Sequence, residues 1–246
     1  MSRYKVTVEY DGTPFHGWQR QEGANSVQQH LEESILPITR APVTFFGAGR
    51  TDTGVHALAQ VAHFDAADDL DCFKTQECMN ALLRDVPIKV LSLEKVADDF
   101  DARFSAKERF YLYKILNRRA NACLDLNRVW KVTPPLDAEK MNKVAQNLVG
   151  RHDFSSFRAA GCQANSPVKT LNSISVTRED EKIFVRVTAK SFLYHQVRNI
   201  VGSLYMVGCG KWSEEDFVRV FEAKDRTKAG QTAPACGLYF VGVRYK

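Results

Sequence analysis

A short segment flanked by glycines contains the residues best suited to chemistry. Residues 47–57 read GAGRTDTGVHA and lie between two strand-like stretches. Glycines on both sides let the backbone turn tightly and let a bulky substrate approach. Asp52 has two interpretations: a carboxylate held by Arg50 or by an Asx-turn, or an ionised nucleophile or base on a rigid loop. The pattern by itself favours the first.

Other loop chemistries do not fit this segment. No Lys-Ser or Lys-Thr pair follows the glycines, as a phosphate-binding loop requires, and Asp52 stands where a dinucleotide-binding loop has its third glycine. The chain also lacks the Gly-x-Ser-x-Gly pattern of serine hydrolases. Its six cysteines and six histidines are scattered without zinc-ligand spacing. A metal site therefore has little support, and the absence of these motifs is consistent with a protein that uses no cofactor.

The cysteine pattern and the hydropathy bear on localisation. The chain opens without an apolar signal segment and contains no apolar run long enough to span a membrane. In such a chain, reduced and mostly buried thiols are the expected state of the cysteines. The sequence therefore predicts a cytoplasmic protein without membrane contact.

The net charge of +5 is unevenly distributed along the 246 residues. Up to Asp101 there are 9 Lys and Arg against 16 Asp and Glu, a net charge of −7; after it there are 25 against 13, a net charge of +12. A basic half suits a polyanionic partner, although a contact between opposite charges would give the same distribution. We place a boundary here and predict domains 1-101 and 102-246.

Hydrophobic patterns indicate strands and helices on both sides of that boundary. Period-2 or apolar runs predict strands at 4–10, 43–48, 60–65, 88–96, 110–116 and 238–245, with a hairpin turn at 179–181. The run at 110–116 is apolar enough to be buried on both faces. Ser26 and Gln29 form a capping-box pattern before the first of several helices. The mixture, without a strict βαβ repeat, predicts an α+β fold.

Six blocks of sequence together resemble the tRNA pseudouridine synthase A (TruA) family. They are YDGTPFHGWQR, GAGRTDTGVHA, RFSA followed by Arg109 and Tyr111, HDFSSFR, FLYHQVRNIVG and TAPACGL. The blocks follow the family's order and span nearly the whole chain. Departures are modest: Phe110 replaces a residue that is often basic, and Gln196 replaces one that is commonly Met.

The resemblance implies a pseudouridine synthase fold, with two mixed or antiparallel-sheet domains flanked by helices and an active-site cleft between them. It also implies isomerisation of uridine to pseudouridine at positions 38, 39 and 40 of the tRNA anticodon stem-loop, by a homodimer. Asp52 matches the family's catalytic aspartate, Tyr111 its active-site tyrosine and Arg198 the arginine that pairs with the aspartate. Attack by Asp52 at C1′ and attack at C6 are both compatible with the sequence.

Five further residues are candidates for substrate binding: Arg50, Thr51, Gly54, His56 and Arg158. A flipped-out nucleotide leaves a gap that the Arg50 guanidinium could fill, since it can stack and donate hydrogen bonds. An ion pair with Asp52 is the alternative role for Arg50. For His56 a packed, hydrogen-bonded position is the alternative, and for Arg158 it is a cap on neighbouring phenylalanines.

Two other functions compete with the isomerase interpretation. A non-catalytic tRNA-binding protein or chaperone could use the same fold, but the joint presence of Asp52, Tyr111 and Arg198 argues against it. A phosphohydrolase is disfavoured because no Asp-x-Asp surrounds Asp52. Two basic pairs are candidate RNA contacts: Arg118 with Arg119, and Arg226 with Lys228.

Overall fold

A computed structural model describes residues 1–67 and 69–246 of the chain. The chain divides into two compact units, Met1–Lys107 with Tyr239–Lys246, and Glu108–Leu238. This division differs from the predicted domains 1-101 and 102-246 at the boundary and in its treatment of the C-terminal strand. That strand pairs with one far earlier in the chain, which no local pattern reveals. The net charges of the units are −3 and +8.

The first unit is a mixed sheet with two helices. Its elements are β1 (Ser2–Tyr10), α1 (Val27–Thr39), β2 (Phe46–Gly47), β3 (His56–Ala66), α2 (Cys72–Leu82), β4 (Ile88–Val96) and the greater part of β10 (Leu238–Arg244). β1 is antiparallel to both β3 and β4, and β2 is antiparallel to β3. β10 pairs with β3 in parallel, with Tyr239 opposite His56.

Local patterns explain why these elements form. Tyr4, Val6 and Val8 alternate with polar residues, and each has 0% of its surface exposed, so β1 supplies one face of the core. At the start of α1 the Ser26 side chain accepts a hydrogen bond from the Gln29 N–H. The predicted capping box is only half formed, because the Gln29 side-chain amide donates to Glu33 at 2.8 Å.

The second unit is also a sheet with helices. Its elements are β5 (Glu108–Asn117), β6 (Trp130–Val132), α3 (Ala138–Ala145), β7 (Gly150–Asp153), β8 (Val168–Glu179), β9 (Lys182–Ala189), α4 (Gln196–Gly208) and α5 (Glu214–Glu222). Antiparallel pairs give the order β5-β9-β8-β7, and β6 is parallel to β5. α3 contacts β8, α4 and α5. Short 3-10 turns include Ser155–Phe157, Arg226–Lys228 and Ala235–Gly237.

The predicted α+β class is confirmed, whereas some details of the elements are wrong. β5 is not buried on both faces, because Tyr111 and Leu112 are partly exposed while Tyr113 and Ile115 are buried. The strand predicted at 43–48 shortens to β2, and the one predicted at 60–65 begins earlier, at His56. The earlier start of β3 makes the non-strand part of the glycine-flanked segment shorter than expected, although β2 ends at Gly47 and so one residue before the predicted strand end.

The cysteines are free, but the expectation that they are mostly buried is wrong. Cys78 and Cys123 are exposed, and the other four are partly exposed. None of the helices in the described part of the chain is long and apolar enough to cross a membrane.

Candidate active site

Asp52 lies in the loop between β2 and β3, and the backbone of this loop is held from three directions. The carbonyl oxygen of Thr51 accepts a hydrogen bond from the Trp18 N–H at 3.1 Å. The Gly54 N–H donates to the carbonyl of Phe15 at 3.3 Å, and the Val55 N–H donates back to that of Asp52 at 3.1 Å. The backbone around Asp52 is therefore fixed, while its side chain is partly exposed.

Two buried polar side chains, those of Tyr10 and Gln60, form hydrogen bonds with this loop. The Tyr10 hydroxyl lies 2.8 Å from the Thr51 hydroxyl, and the Gln60 side-chain amide donates to the Gly49 carbonyl at 2.8 Å. Burial raises the pKa of Tyr10 well above its usual value. The phenol therefore stays neutral and keeps its hydrogen bond to Thr51 across the physiological pH range.

The loop also depends on close backbone packing at Gly17. This glycine has a φ of +92°, and a Cβ there would overlap the carbonyl oxygen of Thr51. Any other residue would push Thr51 away and would adopt a strained left-handed conformation. Thr51 itself is 7% exposed, so it serves the loop's interior more than its surface.

His56 closes the other end of the loop as a buried, packed histidine. It is 2% exposed, and its ring stacks on Tyr239 with centroids 4.8 Å apart. Its Nδ1 accepts the Gly12 N–H at 3.0 Å and lies 3.2 Å from an Asp11 carboxylate oxygen. A backbone N–H can only donate, so Nδ1 is the acceptor in the hydrogen bond with Gly12. These contacts support the alternative role weighed from the sequence, a packed position.

Arg50 stands apart from this network. Its side chain is exposed, and no hydrogen bond or ion pair to it occurs within residues 1–67 and 69–246. The ion pair with Asp52 considered above is therefore not formed in this structure.

Gly54, two residues beyond Asp52, has a φ of +76° and allows the turn that follows it.

Tyr111 belongs to the second unit, on the partly exposed stretch of β5. It lies opposite Val187 of β9, and its ring meets that of Phe192 edge-on, with centroids 5.0 Å apart. Tyr113 follows two residues later and so shares its face. Tyr113 is fully buried, its hydroxyl donates to the Pro234 carbonyl at 2.7 Å, and burial raises its pKa. The backbone of Tyr111 is thus fixed by its pairing within the sheet and by the buried Tyr113 two residues later.

Arg198 lies in the first turn of α4, in the same unit as Tyr111. Its Nε–H donates to the Ala233 carbonyl at 2.8 Å, and the Ala233 N–H donates to the Arg198 carbonyl at 3.1 Å. His195 precedes the helix with a φ of +58°, and its ring stacks on Tyr194 at 3.8 Å. Arg198 is thereby held through both its backbone and its guanidinium.

Arg158 holds a loop of its own unit together. Its guanidinium donates to the carbonyls of Cys162 and Ala164 at 2.9 and 2.7 Å. Burial raises the pKa of the Cys162 thiol, but hydrogen bonds from Tyr194, Ala164 and Arg158 outweigh it, so the pKa lies below its usual value. The Arg158 guanidinium therefore bonds to this loop, an arrangement different from the phenylalanine cap that was considered as its alternative role.

Several supporting residues were not among the predicted site residues. They are Tyr10, Gly17, Trp18, Gln60, Thr232 and Ala233. Tyr10, Gly17, Trp18 and the Thr232–Ala233 pair all occur in the sequence blocks quoted above, which was the signal that could have found them. Within the described residues, no group of three or more His, Cys, Asp or Glu side chains is arranged to hold a metal ion.

Comparison with known proteins identifies the family. The family model described as tRNA pseudouridine synthase matches residues 6–105 and 144–246. The chain belongs to the tRNA pseudouridine synthase family. Proteins described as tRNA pseudouridine synthase A from Rhodospirillum centenum and Maricaulis maris are 56% and 54% identical to it over 245 residues. The alignments cover 100% of this chain and 100% and 98% of those relatives.

A third relative with that description, from Paramagnetospirillum magneticum, is 52% identical over 100% of this chain and 96% of its own length. The residues matched by the tRNA pseudouridine synthase model include Asp52 and Arg198 but not Tyr111, which the three full-length alignments span. Membership makes the chain an isomerase, and it agrees with the resemblance to the TruA family found in the sequence.

Proposed function

We propose that this isomerase converts uridine to pseudouridine at positions 38, 39 and 40 of the tRNA anticodon stem-loop, with Asp52 as the nucleophile. The observation that carries the proposal is the fixed backbone around Asp52 beneath a partly exposed carboxylate. A nucleophile must be presented to substrate without reorganisation of its loop, and the contacts of Thr51 and Gly54 meet that need.

The reaction assigns a distinct task to each residue. The C1′–N1 bond breaks, the uracil turns over, and C1′ joins C5; N1 gains a proton and C5 loses one. Asp52 adds covalently at C1′ or at C6. Tyr111 holds the loose base and assists removal of the C5 proton. Arg198 stabilises the ionised form of Asp52. Since no atoms are gained or lost overall, the proposal needs no redox or group-carrying cofactor.

The proposed setting is a cytoplasmic homodimer in which one tRNA contacts both subunits. The six free cysteines are compatible with a reducing compartment. Arg50, Thr51, Gly54, His56 and Arg158 belong to the proposal as substrate-site residues with two kinds of task. Arg50 is exposed and accessible to RNA, whereas Thr51, His56 and Arg158 act through the loops that they hold.

Tritium release from tRNA labelled at C5 of uridine tests the proposal. Release from wild type should fall by more than about 10³-fold in Asp52→Ala. The exposed Asp85→Ala is the matched control and should behave as wild type. Substrates with a single uridine at position 38, 39 or 40 should each release tritium, and a substrate lacking all three should not.

Two outcomes contradict the proposal in different ways. Tight tRNA binding without release from wild type would favour the non-catalytic binding protein or chaperone. Release that survives in Asp52→Ala would remove Asp52 from its role while leaving the isomerase activity intact.

A further inference from the structure

The segment that receives the Arg198 side chain lies along α4 with unusually close backbone contact. A Cβ on Gly202 would overlap the carbonyl oxygen of Gln231. The Gly230 N–H donates to the Ser203 hydroxyl at 3.0 Å, and that hydroxyl donates to the Asn199 carbonyl at 3.0 Å. Residues 230–233 are thus laid directly on the helix that carries Arg198, and Ala233 lies at the end of this contact.

Three side chains form a closed triangle of hydrogen bonds at this contact. The Arg226 guanidinium donates to the Asn199 amide oxygen at 3.0 Å and to the Thr232 hydroxyl at 2.9 Å. The Thr232 hydroxyl donates to the same Asn199 oxygen at 2.7 Å. The Asn199 amide nitrogen, in turn, donates to the Phe157 carbonyl at 2.9 Å. The Thr232 hydroxyl therefore accepts one hydrogen bond and donates another through a single oxygen atom.

The position of Arg226 is unusual for a positively charged side chain. Its acceptors are the Gly230 carbonyl, the Asn199 amide and the Thr232 hydroxyl, all uncharged, and no carboxylate contacts it among the residues described. Burial lowers its pKa. The guanidinium is thus engaged in holding residues 230–232, and these bonds do not support Arg226 as a candidate RNA contact.

We infer that Thr232 is a positioning residue for Arg198, with Arg226 and Asn199 as its supports. The inference rests on the proposed function. Thr232 is covalently joined to Ala233, whose carbonyl accepts the Arg198 Nε–H, so the triangle fixes the acceptor that orients the guanidinium. With the Nε–H bonded to the Ala233 carbonyl, the planar guanidinium has a fixed orientation, and its two terminal nitrogens point in a fixed direction. If this bond were lost, the guanidinium could rotate and its terminal nitrogens would no longer be aligned with the group that Arg198 stabilises.

The test compares two substitutions of similar shape at Thr232. Thr232→Val keeps the branched shape but removes the hydroxyl, whereas Thr232→Ser keeps the hydroxyl. We expect Thr232→Val to lower kcat by about 10- to 100-fold, with KM for tRNA changed less than about 3-fold. Thr232→Ser should restore kcat to within about 3-fold of wild type. Thr227→Val is the matched control, since among the described residues the Thr227 hydroxyl donates to Asp225, within its own exposed turn.

A direct readout of the guanidinium accompanies the kinetics. The Nε–H signal of Arg198 in ¹⁵N-labelled protein, assigned by its loss in Arg198→Lys, should shift or exchange faster with solvent in Thr232→Val. It should be unchanged in Thr232→Ser and Thr227→Val.

The outcomes separate this inference from the function on which it rests. If wild type releases no tritium from labelled tRNA, the proposed function fails. If wild type is active and Thr232→Val matches it in kcat, or Thr232→Val raises KM alone, the positioning role fails while the function stands. If Thr232→Ser loses as much kcat as Thr232→Val, shape rather than the hydroxyl matters, and the inference is overturned.

Discussion

At the scale of single residues, the glycine-flanked loop combines residues that face substrate with residues that hold the loop. The sequence block identifies the loop but does not show which of its residues are exposed and which are buried. The structure separates them by exposure: Arg50 is exposed and Asp52 partly so, whereas Thr51 and His56 are 7% and 2% exposed. We therefore expect Thr51 and His56 to act by holding the loop and not by contacting RNA.

Arg50 is the residue whose role this separation sharpens. It is exposed and without a protein partner in the described chain, so its substitution should leave folding unchanged. If it occupies the gap left by a flipped uridine, Arg50→Ala should slow single-turnover isomerisation by about 10- to 100-fold. Its melting temperature should match that of wild type.

Footprinting of the target uridine distinguishes this role from general attraction to RNA. Arg50→Ala should reduce the reactivity of the flipped base in the complex, and Arg50→Lys should do so too, since an ammonium cannot stack. Normal catalysis together with an unchanged footprint in Arg50→Ala would refute the assignment.

The candidate site was predictable in part from the sequence, and the limit has a physical cause. Motif blocks marked Asp52, Tyr111 and Arg198 because each block is contiguous in sequence. The Tyr10 hydroxyl, by contrast, bonds to Thr51, and the Thr232 hydroxyl bonds to Asn199, which follows Arg198. Both bonds join residues that lie far apart in the sequence. Hydrogen bonds of this kind depend on tertiary packing, to which spacing along the chain gives no guide.

At the scale of elements, α4 illustrates how one helix can be both a core element and a support for the site. Its buried residues include Val197, Ile200 and Leu204, whose spacing places them on one face of the helix. Gly202 was visible in the sequence as part of a motif, but the pattern gave no reason for it. The reason is the segment at 230–233, which leaves no room for a side chain there.

Gly202→Ala should therefore be destabilising, although alanine is ordinarily favoured over glycine inside a helix. The Cβ would force the Gln231 backbone away from α4, and we expect a loss of about 1–3 kcal/mol in the free energy of unfolding. Gly242→Ala, where a Cβ meets its nearest atoms at 4.0 Å, is the control and should stay within about 0.5 kcal/mol of wild type. Denaturant unfolding measures both; equal stabilities would contradict the packing argument.

His63, on β3, should make the stability of the first unit depend on pH. His63 is buried on β3, its Nδ1 accepts the Ala102 N–H at 3.1 Å, and burial lowers its pKa despite the nearby carboxylates of Asp65 and Asp101; Arg3 lowers it further. As pH falls, the unfolded chain takes up this proton before the folded one does. Stability contributed by neutral His63 is therefore present above its unfolded pKa of 6.5 and declines below it.

Thermal melts between pH 7.5 and 5 test this linkage. His63→Asn keeps an acceptor for the Ala102 N–H but cannot be protonated, so its melting temperature should fall less over this range than that of wild type. Asp65, whose pKa is lowered chiefly by its hydrogen bond from Arg3, loses its contribution only at more acidic pH. Parallel declines in wild type and His63→Asn would exclude His63 as the source.

At the scale of the whole molecule, the charge asymmetry remains but is smaller than the sequence suggested. With the division found in the structure, the units carry net charges of −3 and +8 instead of −7 and +12.

In each of the two basic pairs, the structure distinguishes a residue with a protein partner from an exposed one. Arg118 is paired with Glu181 at 2.9 Å and Arg226 is engaged by Asn199, while Arg119 and Lys228 are exposed.

Exposed basic residues of the second unit should carry much of the salt dependence of tRNA binding. Replacing Arg119 and Lys228 together by Gln should reduce the slope of log Kd against log salt by roughly 1 for each phosphate that these side chains neutralise in the wild-type complex. The control pair, Arg40→Gln with Arg84→Gln in the first unit, should leave the slope unchanged. A flat salt response of wild type would contradict a mainly electrostatic interaction with RNA.

The parallel pairing of β10 with β3 has a consequence for how the protein is made. Tyr239 and Phe240 lie opposite His56 and Ala57, where the Asp52 loop ends. β3 is synthesised long before β10, so its edge at these residues stays unpaired until Tyr239 and Phe240 have been made. A chain released prematurely, or clipped before Tyr239, therefore lacks the strand that completes the unit carrying Asp52. Synthesis of β10 is thus required before the sheet of the first unit can be completed.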